Sequence, residues 1–574
     1  MSWQNRVIDP GDPFFIDFLK DYYVKTREGQ YLFGSKQPGR RPDRAFYMVP
    51  PNYRLGRGQR GFDREIGEKL YSLALKYLKE VKIIVQNRIQ GEPPYEVPLR
   101  IVTSVKNPQS AYIAWMGELM TFPGKGEDPR CVNYIIPESL PSDEVWDFWP
   151  DYDSEEPLTL YDFTETAEER RVLNLGVDYF GGAFKKPNLT MVWNLAESDG
   201  LVSYHAGCTK DRILKGLSGT GKTTLTVGPD LEQDDAVLGK LVLEDGKIQG
   251  IQLIGLEAAS FAKSEGLGPK SPEWEGLMKS LEGETVLAQN IDCKNVIYEV
   301  RDCAKIPVVE EGEAGSLLPR EYTRSSTTNG RFIFRFNALN EKWPTIPKFL
   351  RAEGLSFKRF DILEPALRIV KPEMAVALDS ACESIITSAV AGKRPGTRTR
   401  SYAATDFMAR EQSQQALLKL RMYDEMGLGM GGKLIFFIIN TGYIGRNDFG
   451  GNMRGEGEKI TVDDSKRILH IIENDLIENW IEHPVFHYLI PDPEEIESLG
   501  ISGFRRRFNP LNFYSAEEYL KIARRDISER TDFLWDLFSG QVGNFGLRGV
   551  ANIWKGGLPS SEEIENFYDG VYSI

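Results

Sequence analysis

The sequence predicts an α/β protein in two domains, the second strand-rich and carrying a phosphate-binding loop. Three observations support this. The chain has 574 residues, more than one hydrophobic core accommodates, because single cores stop growing near ~250 to 300 residues. Runs of β-branched and aromatic residues recur between turns, interspersed with a few stretches of helical period. Gly216 to Leu225 reads GLSGTGKTTL, two glycines bracketing four residues and followed at once by Lys-Thr-Thr.

Residues 1–200 are expected to form an N-terminal α/β domain. Arg64 to Glu80 has a helical pattern, with Leu70, Leu73, Leu75 and Leu78 as its apolar positions, and KIIVQ and PLRIV read as strands. Between Phe122 and Glu169 the chain is acidic and rich in Pro and Trp, which reads as solvated connecting surface without chemistry. Residues 201–574 are expected to form the C-terminal nucleotide-binding domain. Its strand-like runs are LVSYH, LVLED, IQGIQLIGL, NVIYEV, RFIFRF and KLIFFIINTG, with helices over Ser413 to Asp424 and Asp464 to Asn474.

Composition narrows the function. The hydrophobic fraction of 41% and charged fraction of 27% are ordinary for a globular protein. A formal net charge of -14 repels polyanions, so a nucleic-acid partner is not expected. Cys131, Cys208, Cys293, Cys303 and Cys382 lack C-x-x-C spacing and suggest neither a disulfide framework nor a zinc cluster. Without an apolar run near ~18 residues no membrane span is expected, and a reducing cytoplasm is the default location.

The chemistry centres on the loop. In G-x-x-x-x-G-K-T the glycines let backbone N–H groups approach phosphate oxygens, Lys222 adds a positive charge, and Thr223 offers its hydroxyl to Mg²⁺. Gly216, Ser218, Gly219, Thr220, Gly221 and Thr224 complete the expected nucleotide contacts. Phosphoryl transfer also needs a carboxylate for the divalent ion, and Asp234 and Asp235 follow in LEQDDAVLG. No Ser/His/Asp or Cys/His constellation stands out.

The loop wording GLSGTGKTT resembles the kinase motif of ATP-type phosphoenolpyruvate carboxykinases. YFGGAFKK (Tyr179 to Lys186), GLVSYHAG (Gly200 to Gly207), GRRPDRAFYMV (Gly39 to Val49), EAASFAKS (Glu257 to Ser264), INTGYIG (Ile439 to Gly445) and GEGEKITVDDSKRIL (Gly455 to Leu469) resemble further segments of that family, in the family's order. The resemblance implies a two-domain carboxykinase-like fold with the phosphate loop in a mixed-sheet C-terminal domain, and a lyase of gluconeogenesis that converts oxaloacetate and ATP to phosphoenolpyruvate, CO₂ and ADP. It implies Mg²⁺ with the nucleotide and a second ion, typically Mn²⁺, at the substrate.

By resemblance, Lys186 and His205 fall at ligand positions of the second ion, with Asp235 or Asp234 as the third. Arg40 falls at a substrate-binding arginine, and Lys263 at a lysine near the transferring phosphoryl group. Lys459 lies where the family has an adenine-stacking arginine, and Ser465 lies in the adenine-side segment. KRPGTRTRS (Lys393 to Ser401) lies where the family carries a mobile lid. The chain departs from the pattern at Phe180, where the family has a tyrosine, and at Ala375, where VKPEMA is expected to replace a segment ending in a substrate-binding arginine. A kinase acting on another small acceptor, or a non-catalytic nucleotide-binding protein, remains an alternative reading.

Overall fold

The computed structural model describes residues 6–164, 169–264, 267–317, 329–385, 397–405, 407–429, 431–446 and 457–573. The first large sheet has strand order Arg6–Ile8, Ile83–Gln90, Val97–Ser104, Cys131–Ile136, Arg170–Leu175, Leu158–Asp162 and Ala45–Met48, with Phe122–Pro123 paired to Ile83–Gln90. Successive side chains of a strand point to opposite faces, and both faces are covered here. Val85, Val102 and Leu173 face the helix Arg64–Glu80, whereas Ile84, Ile101 and Val172 join the larger core beneath the helices Ala111–Met120 and Lys186–Ser198. The Asp63 side chain caps the first helix by accepting from Ile66 N at 2.9 Å. Its buried stripe is Gly67, Leu70, Tyr71, Ala74 and Leu78, so Leu75 is displaced from the expected apolar face by Ala74.

The acidic stretch between Phe122 and Glu169 is not merely connecting surface. Cys131–Ile136 lies in the interior of this sheet, parallel to Val97–Ser104 on one side and Arg170–Leu175 on the other. A strand covered on both faces reads as a short apolar run without alternation, and the surrounding Pro and acidic residues disguise that run.

The second large sheet has order Leu231–Gln233, Ala206–Thr209, Arg212–Gly216, Ala352–Phe357, Ile435–Asn440, Ala366–Ile369, Leu489–Pro491 and Trp480–Glu482. Its three central strands, Arg212–Gly216, Ala352–Phe357 and Ile435–Asn440, run parallel, so their carboxyl ends meet at one edge. Ligands of open α/β sheets bind at that edge. A five-stranded sheet joins Ala259–Lys263, Arg331–Arg335 and Leu287–Gln289 to Tyr31–Phe33 and Val24–Lys25. Residues from before position 200 thus complete a sheet made by the later chain. The helices expected at Ser413 to Asp424 and Asp464 to Asn474 are Gln412–Met426 and Val462–Glu473, the second with a capping box between Thr461 and Asp464.

Beside the second sheet, Cys382–Ile385 pairs antiparallel with Arg398–Ser401. Buried Glu383 binds Arg359 Nη1 at 2.5 Å, Arg400 Nε at 2.5 Å and Arg530 Nη2 at 3.0 Å. Asp526 shares Arg400 with it, at 2.7 Å, and adds Arg398 at 3.0 Å. Residues 393–396 of the expected lid lie outside the described residues. Its other end, Arg398–Ser401, is a strand tied down by these ion pairs. Removing one partner of a buried ion pair leaves its counter-charge uncompensated. Glu383→Ala is therefore expected to destabilise the protein by about 3–5 kcal/mol, measured by urea unfolding; an unchanged midpoint would show that the cluster adds nothing.

Candidate active site

The parallel strand Arg212–Gly216 leads directly into the loop Leu217 to Gly221, and the short helix Lys222–Thr226 follows. Gly219 and Gly221 have φ of 82° and 90°, a left-handed conformation that strains side chains with a Cβ. Gly216 is needed for close packing, since a Cβ there would meet Thr220 Oγ1 at 2.5 Å and Ser356 O at 2.9 Å. Hydroxyls of the neighbouring elements hold the loop carbonyls: Ser356 and Thr441 donate to Thr220 O at 2.7 and 2.6 Å, and Ser384 donates to Ser218 O at 3.1 Å.

The loop opens into a cleft of about 2600 Å³. Gly216, Ser218, Gly219, Gly221, Lys222, Thr223 and Thr224 line it. Thr220 does not, because its hydroxyl donates to Leu217 O at 2.9 Å and braces the turn from inside.

One carboxylate gathers the charges on the cleft floor. Asp235 Oδ1 lies 2.8 Å from Lys222 Nζ and 3.0 Å from His205 Nε2, and its Oδ2 lies 3.2 Å from Lys185 Nζ. Burial pushes the Asp235 carboxyl up, but the charges of Lys222, Lys185 and His205 outweigh it and hold the group well below the usual carboxylate range. Asp234 turns the other way: Ser260 Oγ donates to its Oδ2 at 2.7 Å, while its buried Oδ1 has no hydrogen-bond partner among the described residues.

Lys185 also binds Glu257, at 2.8 and 3.0 Å. Burial raises the Glu257 carboxyl to about 7 despite that ammonium. Lys186, the neighbouring residue, sets its Nζ 4.0 Å from the Phe407 ring centroid, and the same ring meets His205 edge to face at 4.9 Å. Arg40, Lys186, His205, Asp234, Asp235 and Lys263 all line the cleft, as does Arg331.

Among the described residues no group of three or more His, Cys, Asp or Glu side chains converges as a metal site. The donor set nonetheless suits a hard divalent cation. The His205 ring lies between two oxygen acceptors, Ala403 O at 3.3 Å from Nδ1 and Asp235 Oδ1 at 3.0 Å from Nε2. If Nδ1–H donates to the carbonyl, the Nε2 lone pair faces a carboxylate, an arrangement that calls for a shared proton or metal ion. Imidazole with carboxylate suits Mn²⁺, and a lysine could join only when neutral.

The sequence profile of the family described as phosphoenolpyruvate carboxykinase matches residues 24–240. The phosphoenolpyruvate carboxykinase (ATP) of Caldanaerobacter subterraneus subsp. tengcongensis is 24% identical over 539 residues, covering 88% of this chain and 90% of that protein. The chain is thus similar to the ATP-type phosphoenolpyruvate carboxykinases, at low identity, over most of its length.

Two of the expected departures from the carboxykinase pattern look different in three dimensions. Ala375 is fully buried in the helix Pro372–Ser380, among the core residues rather than on the cleft. Arg368, near it in sequence, is buried and pairs with Asp475 at 2.6 Å. A cleft guanidinium comes instead from Arg331, whose Nη1 donates to Phe261 O at 3.2 Å. Sequence reasoning missed Arg331 because it opens the strand-like run RFIFRF, where it reads as a strand terminus. Phe180 packs in the core against Phe184 and Phe261, and adjacent Tyr179 reaches the cleft.

The adenine-side residues fit less directly. Ser465 is buried and donates its hydroxyl to Thr461 O at 2.9 Å. Lys459 is exposed on the strand pair with Tyr443 and does not line the cleft, whereas Val462 and Lys466 do. Residues 447–456, which include the start of the adenine-side segment, lie outside the described residues.

The Glu257 carboxyl generates a pH prediction. An unfolded glutamate ionises near 4.5 and this one near 7, so between those values the folded state holds a proton that the unfolded state has lost. Its contribution to stability falls as pH rises through that window. Glu257→Gln is expected to remove that component, so the melting-temperature difference between wild type and variant should change progressively from pH 5 to pH 7; a constant difference would refute the shift.

Proposed function

We propose that the protein is an ATP-dependent phosphoenolpyruvate carboxykinase that converts oxaloacetate and ATP to phosphoenolpyruvate, CO₂ and ADP. The observation that carries this is the meeting of Lys222, His205 and Lys185 on Asp235, at the floor of a cleft that Arg40, Lys263 and Arg331 also line. A generic nucleotide-binding site has no need of the histidine. In this reading residues 1–200 supply the substrate side and residues 201–574 the nucleotide side of a cytoplasmic enzyme; of the expected lid near 393–401, the strand Arg398–Ser401 serves as fixed cleft wall through Thr399 and Ser401 rather than as a moving part.

The roles follow from charge. Gly219, Gly221 and Lys222 bind the triphosphate, and Lys222 and Lys263 offset charge on the equatorial oxygens of the transferring phosphoryl group. Thr223 would bind the Mg²⁺ of the nucleotide. Lys186, His205 and Asp235, with Asp234 as the alternative carboxylate, would hold Mn²⁺, which supplies Lewis-acid stabilisation of negative charge developing on the substrate oxygen. Arg40 and Arg331 offer planar forks that match the substrate carboxylates. Cleavage of the C–C bond releases CO₂ and leaves an enolate. Its oxygen attacks the γ-phosphorus as the bond to ADP breaks, so no protein nucleophile is needed.

The test follows oxaloacetate consumption and phosphoenolpyruvate formation with ATP, with and without Mn²⁺. ATP hydrolysis or phosphorylation of another acceptor without decarboxylation would replace this reading with a kinase of different substrate. Lys222→Ala is expected to lower kcat/KM about 10³-fold, and wild-type turnover in that variant would dismiss the phosphate-loop assignment. Arg331→Ala removes a charge-assisted contact of about 1.5–3 kcal/mol. Its kcat/KM for oxaloacetate should drop about 10- to 100-fold, and an unchanged value would remove Arg331 from the substrate side.

A further inference from the structure

Directly behind the phosphate loop lies a group of charges that the proposed reaction does not use. Lys215 occupies the last position before Gly216 in the central strand RILKG, where a buried apolar residue is the ordinary choice. It is fully buried and binds Glu353 and, at 2.5 Å, Asp379 Oδ1. The second oxygen of Asp379 accepts from Lys419 Nζ at 2.6 Å, and Tyr423 Oη donates to Glu353 at 2.8 Å. Two ammonium groups and two carboxylates therefore balance one another out of contact with solvent.

The group reaches the cleft by two routes. Through Lys215 it adjoins Gly216, the start of the phosphate loop. Through Lys419 and the backbone of Asp379 it brackets the histidine. Lys419 Nζ lies 5.3 Å from the ring centroids of both Tyr204 and Tyr402, the residues preceding His205 and Ala403. The Asp379 carbonyl accepts from Ala403 N at 3.4 Å, and the Ala403 carbonyl faces His205 Nδ1 at 3.3 Å. The helix Gln412–Met426, which carries Lys419, is also tied to the approach to His205: Gln415 donates to Leu201 O at 3.1 Å and accepts from Ser203 N at 3.3 Å.

Resting on the carboxykinase reading for its metal arm, we propose that Asp379 and Lys419 are positioning residues that fix the orientation of the His205 imidazole from behind the site. Partners beyond the direct ligands of a metal-binding imidazole orient it, and removing them commonly costs about 10- to 100-fold in metal affinity. A buried ion pair contributes little net stability against neutral groups of similar shape, so geometry is the better account of why two extra charges sit here.

The test uses the double variant Asp379→Asn with Lys419→Met, which removes one cation and one anion and leaves Lys215 paired with Glu353. In full-length, metal-free protein, the imidazole NMR signals of the four histidines are compared, with the His205 signal identified by its loss in His205→Gln. The His205 signal should shift or broaden while those of His470, His483 and His487 stay in place. Mn²⁺ affinity, measured by electron paramagnetic resonance, should weaken about tenfold or more, with ATP affinity changed less than about threefold because Lys215 keeps a partner. Tyr402→Leu removes one ring beside Lys419 without disturbing charge; it should produce the same selective effect in smaller measure, and decides the matter if the double variant does not fold.

An unmoved His205 signal, or parallel losses of Mn²⁺ and ATP affinity, would overturn the inference. Failure of the wild type to bind Mn²⁺ or ATP would instead overturn the carboxykinase reading, and the imidazole signals would still decide the positioning role.

Discussion

The carboxylate of Asp235 is the point on which the cleft is organised. Lysine, histidine and a second lysine reach it from three parts of the chain: the helix after the phosphate loop, the one-residue link between Val202–Tyr204 and Ala206–Thr209, and the helical segment around residue 185. Packed without an anion, these groups would repel one another in a partly desolvated site; with it, each gains a charge-assisted contact. The same anion stays ionised because the cations around it outweigh the cost of burial. An anion entering this cleft would meet lysines and arginines that line it.

The cleft is assembled by strand ends rather than by one motif. Gly216, Phe357 and Asn440 end three parallel strands, and the hydroxyls of Ser356 and Thr441 hold the Thr220 carbonyl between them. Part of the lining comes from the strand Ala259–Lys263 and its partner Arg331–Arg335, in a sheet that residues 24–33 complete. This arrangement lets distant segments contribute charge to one cavity while the backbone of each stays paired. It also explains how a chain of net negative charge presents a basic cleft: a local convergence of Lys and Arg acts at short range, while the overall charge is screened beyond about 8–10 Å.

Buried charge is a recurring device in the later part of the chain. Glu383 and Asp526 hold four arginines, and Asp379 holds two lysines. Both groups lie behind residues that line the cleft, Ser384 and Thr399 in one case and His205 in the other. Ion pairs out of water demand exact partners, because a displaced partner leaves an uncompensated charge. They are therefore better suited to holding a fixed geometry than to adding stability.

Much of this was legible in the residues themselves. The loop, the helix over Arg64–Glu80 and the strand at Ile435–Asn440 follow from short-range pattern, because glycine spacing and hydrophobic period are local properties. His205 and Asp235 were nameable from segment resemblance and prove to touch, but their contact depends on strands that run antiparallel from positions 30 residues apart. Tertiary packing alone decided the rest. It made an acidic, Pro-rich stretch supply an interior strand at Cys131–Ile136, buried Ala375 in a core helix, brought Arg331 to the cleft and put Lys185 on Asp235 while Lys186 went to Phe407. In each case the deciding interaction joins residues far apart in sequence, and local pattern carries no record of a partner that only folding brings near.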